Sequence, residues 1–146
     1  MNKFGVHGLV WTGTWGAKEC AYTVESSKEA GIDLVEIPFI SPDQMDIPAN
    51  VSSLEANDME ATGTLRLGFD NDINSVDADC VARGEETLMS ALTFAQDIGA
   101  KYLGGVIFSA LGPYGHPPTS VSRENSQSVI TRLAEKAKAA GITVGL

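Results

Sequence analysis

The chain is predicted to be an α/β protein built on a parallel sheet, and three observations carry that prediction. Short apolar segments alternate with amphipathic stretches along the whole sequence. Candidate strands start near residues 4, 33, 61, 102 and 142, a spacing of about 30–40 residues. Glycines stand where helical patterns stop, at Gly31, Gly99 and Gly141. Apolar strands separated by amphipathic helices imply parallel pairing through right-handed crossovers. At 146 residues the chain has the size of one domain with a real core, and residues 1–146 are read as one.

The elements follow in order. Phe4–Trp11 is β-rich. Lys18–Ala30 is helical, with Cys20, Val24 and Ser27 on one face, and Asp33–Ile37 is a short buried strand. Ser41-Pro42 opens a loop. Pro48–Ala56 is a short helix with Val51 and Leu54 inward, and Ala61–Leu67 is the third strand. Asp77 is an N-cap, and Leu88, Leu92 and Ala95 repeat at helical spacing behind it. Tyr102–Phe108 is the fourth strand. A loop rich in Gly and Pro, residues 112–118, leads to a last helix with Val129, Leu133, Ala137 and Ala140 on one stripe. The charges of Glu135, Lys136 and Lys138 lie on its solvated side. Ile142–Leu146 then begins a fifth strand, and an apolar strand needs a neighbour for its backbone and side chains.

Composition narrows the function classes. The formal net charge is −9, with 10 Lys plus Arg against 19 Asp plus Glu. A nucleic-acid binder ordinarily shows a basic face, so that class is set aside. No apolar run reaches the roughly 18–20 residues that span a bilayer, and Met1–Val6 has no signal-peptide pattern. Cys20 and Cys80 lack metal-ligand or CxxC spacing and read as reduced, packed thiols of a cytoplasmic protein.

Pattern alone leaves two architectures, an open doubly wound sheet and an arc of a (β/α)8 barrel. No GxGxxG or GxxxxGK[ST] motif follows a strand, which weakens the nucleotide-binding version of the first. A full barrel takes about 250 residues.

Several segments decide the matter by resemblance. They are the opening Met-Asn-Lys-Phe-Gly-Val-His-Gly-Leu-Val-Trp with Trp15, then Ala30–Ile37, Leu67–Asp70, Gly99–Val106 and Ala134–Leu146. In this order they resemble the ketose 3-epimerases of the D-tagatose and D-psicose type, within the xylose-isomerase-like TIM barrels. The resemblance implies half of a (β/α)8 barrel, four βα units plus a fifth-strand stub. It also implies a parental activity, metal-dependent epimerisation of a ketose. In that family one glutamate removes a proton beside the carbonyl and a second returns one on the opposite face, through a metal-stabilised enediolate. The first glutamate directly follows the Val-Gly-Leu that here is Val144-Gly145-Leu146. The other metal ligands lie on later strands. The resemblance therefore puts no catalytic residue and no metal ligand in this chain, and assigns Mn, Co or Mg to the complete family enzyme.

The same resemblance places His7, Trp15, Arg66, Val106 and Leu111 where the family lines its sugar pocket. Three depart from the family pattern. His7 stands for an aromatic Phe or Tyr, Arg66 for a small Cys or Ser, and Leu111 for a Trp in some members. The family's substrate choice is therefore not carried over.

Each residue also has a structural reading. His7 serves as a hydrogen-bonded core histidine or as a ligand contact. Trp11 and Trp15 serve as packing residues or as platforms for a sugar face. Val106 and Leu111 are most simply core residues. Glu36 is the sharpest hint, because a carboxylate on a buried strand needs a partner. Arg66 on the next strand is a candidate for that partner, with a site role for Glu36 as the alternative. His116 has no second ligand at metal spacing. Asp70-Asn71-Asp72 lacks the rest of a calcium loop and reads as a solvated turn.

A half-barrel leaves strand edges and an apolar sheet face wet. At about 25 cal/mol per Å², a few hundred Å² costs several kcal/mol, comparable with a domain's net stability. The expected remedy is a homodimer through the open barrel edges. The sequence thus supports two functions, an epimerase half that is inactive alone and binds at most a small sugar, and a non-catalytic self-associating scaffold. A third reading, another branch of the same superfamily such as an endonuclease-IV-like fold, conflicts with the acidic balance.

Overall fold

The computed structural model describes residues 3–146; Met1 and Asn2, which begin the opening motif, lie outside the described residues. Five strands and four α-helices alternate: β1 (Gly5–His7), α1 (Ala17–Glu29), β2 (Leu34–Pro38), α2 (Ile47–Ala56), β3 (Glu60–Leu67), α3 (Ala78–Asp97), β4 (Tyr102–Ala110), α4 (Ser120–Ala140) and β5 (Thr143–Val144). Their starts are chemically marked. Asp46, Asp77 and Thr119 cap α2, α3 and α4 by accepting backbone N–H bonds from Ala49, Asp79 and Ser122. Gly31, Gly99 and Gly141, all at positive φ, follow α1, α3 and α4, as the sequence led one to expect.

The sheet is wholly parallel, in the order β1-β2-β3-β4-β5. A doubly wound sheet turns back on itself at a switch point; this one does not. Four consecutive crossovers in one direction, right-handed by the general rule for parallel strands, put every helix on the same face, which is the arrangement of a barrel arc. Side chains alternate accordingly. Val35, Ile37, Leu65, Leu67, Leu103 and Ile107 are buried with Val24, Leu88, Leu92, Val129 and Leu133 in one core. The other face carries Leu34, Glu36, Thr62, Arg66, Tyr102 and Val106, all half-buried or exposed.

Four expectations are corrected. The first strand is not Phe4–Trp11: it ends at His7, and Gly8–Val10 forms a 3-10 turn with Trp11 behind it. Two contacts turn the chain there. Leu9 N–H donates to His7 Nδ1 at 3.2 Å, and the Trp15 ring lies so close to Gly8 that a Cβ would meet it at 2.4 Å. A second 3-10 turn, Pro42–Gln44, stands in the loop that Ser41-Pro42 opens. β4 runs two residues past Phe108. Finally, Asp72 is no solvated residue: it is 3% exposed.

Candidate ligand face at the C-terminal ends of the strands

The open sheet face is built by register. His7 lies opposite Glu36, and Glu36 opposite Thr62, so these three form one polar row across β1, β2 and β3. Arg66 lies four residues beyond Thr62, about 13 Å along the strand, and pairs with Val106 in a second row. Register therefore separates Glu36 from Arg66. The ion pair considered between them does not form: the ion pairs among the described residues are Lys3 with Glu60 and Glu85 with Arg132.

His7 is half-buried, and its Nδ1 is spent on the Leu9 N–H. In the neutral ring that assigns the proton to Nε2, leaving a donor for a ligand. Glu36 is half-buried and Arg66 exposed. Trp15 is instead 4% exposed, and its indole N–H donates to Asn50 Oδ1 at 3.2 Å. It underlies the Gly8–Val10 turn and is not in either row. Neither Val106 nor Leu111 belongs to the core. Val106 is half-buried on the open face, and Leu111, just past β4, is 51% exposed.

β3 and β4 approach very closely between the two rows. Gly105 has φ +113°, and a Cβ there would stand 2.0 Å from the Leu65 carbonyl oxygen. Beyond it the ladder slips, with Arg66 opposite Val106 but Leu67 opposite Ala110. The slipped end is tied down by residues that sequence reasoning missed. Asp72 Oδ1 accepts the Ala110 N–H at 3.0 Å and the Asn74 N–H at 2.8 Å, and its Oδ2 accepts the Tyr114 hydroxyl at 2.6 Å. Only the Asp72-to-Asn74 spacing, that of an Asx turn, was visible in the sequence. Burial and the buried Asp72 contact push the Tyr114 phenol up from its ordinary value.

Two further polar atoms stand in the loops that follow β1 and β2. Trp11 Nε1 and Ser41 Oγ are buried with no protein hydrogen-bond partner among the described residues. Each such group costs about 1–3 kcal/mol until something satisfies it. By contrast, a cavity of about 1230 Å³ between Lys28, Asp33, Val51 and Tyr102 opens at the N-terminal ends of the strands, the end that carries stability rather than chemistry in barrels. A smaller groove of about 580 Å³ runs along α4 past Phe108, Tyr114, Ile130 and Leu146.

No family model matches the chain. A ketose 3-epimerase from Arthrobacter globiformis is 38% identical over 144 residues, which is 99% of this chain and 50% of that protein. An L-ribulose 3-epimerase from Methylomonas sp. (strain DH-1) is 34% identical over 144 residues, with the same two shares. The chain is homologous to half of a ketose 3-epimerase. The crystal structure of D-allulose 3-epimerase from Methylomonas sp. in complex with D-allulose superposes with a TM-score of 0.94 at 34% identity, over 99% of this chain and 50% of that one. The five parallel strands and four helices match half of that epimerase barrel. The chain spans about half the length of the curated relatives it matches.

Among the described residues, no group of three or more His, Cys, Asp or Glu side chains converges to hold a metal ion. The donor set does not fit a cation centre, and no step through a cation is assigned to it. Among the described residues, no helix is long and apolar enough to cross a membrane.

Proposed function

We propose that this chain supplies one wall of the sugar site of a ketose 3-epimerase. The observation that carries the reading is the 38% identity to a ketose 3-epimerase along 99% of the chain. Polar groups on the open face support it. His7 Nε2–H and the Glu36 carboxylate offer a donor and an acceptor side by side for sugar hydroxyls. Arg66 offers fixed donors to oxygen atoms one row further up. Val106 and Leu111 bound the space with apolar surface, and Trp15 holds the turn after His7 in place. The unsatisfied Trp11 and Ser41 donors suit a hydroxyl-rich ligand. The acid/base carboxylates and the divalent metal (Mn, Co or Mg) belong, on this reading, to the part of the enzyme that corresponds to the relatives' other half. Two free, buried cysteines suit a cytoplasmic setting for this carbohydrate enzyme.

A second reading, a self-associating scaffold, draws on one observation. Phe4, Tyr102, Phe108 and Leu146 are 49–72% exposed. In this reading two copies cover each other's open faces and edges as a homodimer, and residues 1–146 are one half-barrel domain.

The purified chain, incubated with D-tagatose or D-psicose and Mn²⁺ or Co²⁺, is expected to bind sugar without interconverting it. Sustained epimerisation by the isolated chain would overturn the proposal that its carboxylates come from elsewhere.

A further inference from the structure

We propose that Asp72 is a positioning residue: its buried carboxylate latches the loop after β4 onto the loop after β3, and so fixes Leu111 at the mouth of the sheet. The proposal rests on the reading of the C-terminal strand ends as the ligand end.

The geometry is that of a clasp. Three donors from two different segments converge on one side chain: the Asn74 N–H from its own loop, and the Ala110 N–H and Tyr114 hydroxyl from across the sheet. Tyr114 oxygen also accepts the Ala110 N–H, at 3.0 Å. The Asp72 backbone is held in turn from α3, since its N–H donates to Cys80 Sγ at 3.2 Å. Apolar contacts close the clasp. The Phe69 ring meets Tyr114 edge-on, with centroids 5.2 Å apart. Gly112 passes so near Phe69 that a Cβ would stand 2.7 Å from its ring.

Asp72 has no cation beside it; neither ion pair among the described residues includes it. A buried carboxylate without a counter-ion persists only when hydrogen bonds hold it. Its use here follows from capacity. An ionised carboxylate is acceptor-only and can take all three bonds at once; a neutral amide at the same place would turn a donor toward one of them. The consequence falls on the next residue. Leu111 N–H donates to the Leu67 carbonyl at 2.9 Å, so two successive amides, Ala110 and Leu111, are fixed just beyond the slipped register. The exposed Leu111 is thereby held at the mouth through its backbone.

The experiment is residue-resolved amide hydrogen exchange on the full chain, for wild type, Tyr114→Phe and Asp72→Asn, with a phenol absorbance titration beside it. Tyr114→Phe deletes one hydroxyl and leaves a buried carboxylate oxygen without its donor. Exchange at Ala110 and Leu111 is expected to accelerate about tenfold, with the Leu88 amide in α3 unchanged. In Asp72→Asn the same two amides accelerate, and the Tyr114 phenol ionises at lower pH than in wild type. Unchanged exchange at Ala110 and Leu111 in Tyr114→Phe, or equal acceleration along the whole chain in that variant, overturns the proposal. So does an unmoved phenol midpoint in a folded Asp72→Asn. If Asp72→Asn does not fold, Tyr114→Phe alone decides. None of these readouts needs a sugar, so failure of the ketose reading and failure of the latch are told apart.

Discussion

Trp15 and Gly8 explain much about the first strand. The indole fills the space under Gly8 and hydrogen-bonds to Asn50, leaving no room for a methyl group. Replacing Gly8 with Ala pushes a Cβ into the ring and is expected to cost about 1–3 kcal/mol, read as a lower urea midpoint with an unchanged slope. An unaltered midpoint would show that the turn shifts freely. Cys20 gives a second prediction at this scale. Burial, opposed by the Ser53 hydrogen bond, pushes its thiol up to about 11. The folded value lies above the unfolded one, so this contribution to stability is fully present below the ordinary thiol range and is lost as pH rises toward 11. The native chain should therefore leave Cys20 unlabelled by a thiol reagent at pH 8, with labelling only on unfolding. Rapid labelling of the folded chain contradicts the burial.

At the scale of elements, α3 and α4 are joined by a bidentate pair in which Arg132 donates to both Glu85 oxygens, at 2.6 and 2.7 Å. The Arg132 hydrogen bond holds the Glu85 carboxyl below its usual range. Its folded pKa is thus lower than its unfolded one; the contribution is present above about pH 5 and lost as pH falls through the folded value. Both side chains are partly exposed, at 28% and 49%, which limits the pair to about 0.5–1 kcal/mol. Arg132→Gln should lose that amount at pH 7 and little at pH 3; equal losses at both would assign the effect to packing. The helices were the legible elements, because caps such as Asp77 and stops such as Gly99 act within a few residues. β1 was not. Val6-His7-Gly8-Leu9-Val10-Trp11 has strand composition, and what ends the strand is the Trp15 ring and the His7 imidazole, contacts that no local propensity encodes. Asp72 was illegible for the same reason. Asp70-Asn71-Asp72 looks like an ordinary turn, and its burial is decided by Ala110 and Tyr114 far along the chain. The notion that Glu36 meets Arg66 had the right strands but needed the register, which separates them.

At the scale of the whole molecule, five strands in unbroken sequential order leave one sheet face without helices. That face carries the polar row His7–Glu36–Thr62 together with exposed Tyr102. Here the family resemblance was readable because it is spread over ordered segments of the whole chain, while which side chains share the open face emerged only from pairing. The open face gives a prediction about assembly. On the scaffold reading, sedimentation at micromolar concentration should show a dimer, and a monodisperse monomer would argue against mutual covering. The central claim concerns the same face and its ligand, and the most direct test is a ketose titration of the isotopically labelled chain followed amide by amide. The account predicts shifts that map to His7, Glu36, Arg66, Val106 and Leu111 and are weakened by Glu36→Gln. Shifts confined to the cavity at the N-terminal ends of the strands, or none at saturating ketose, would contradict it.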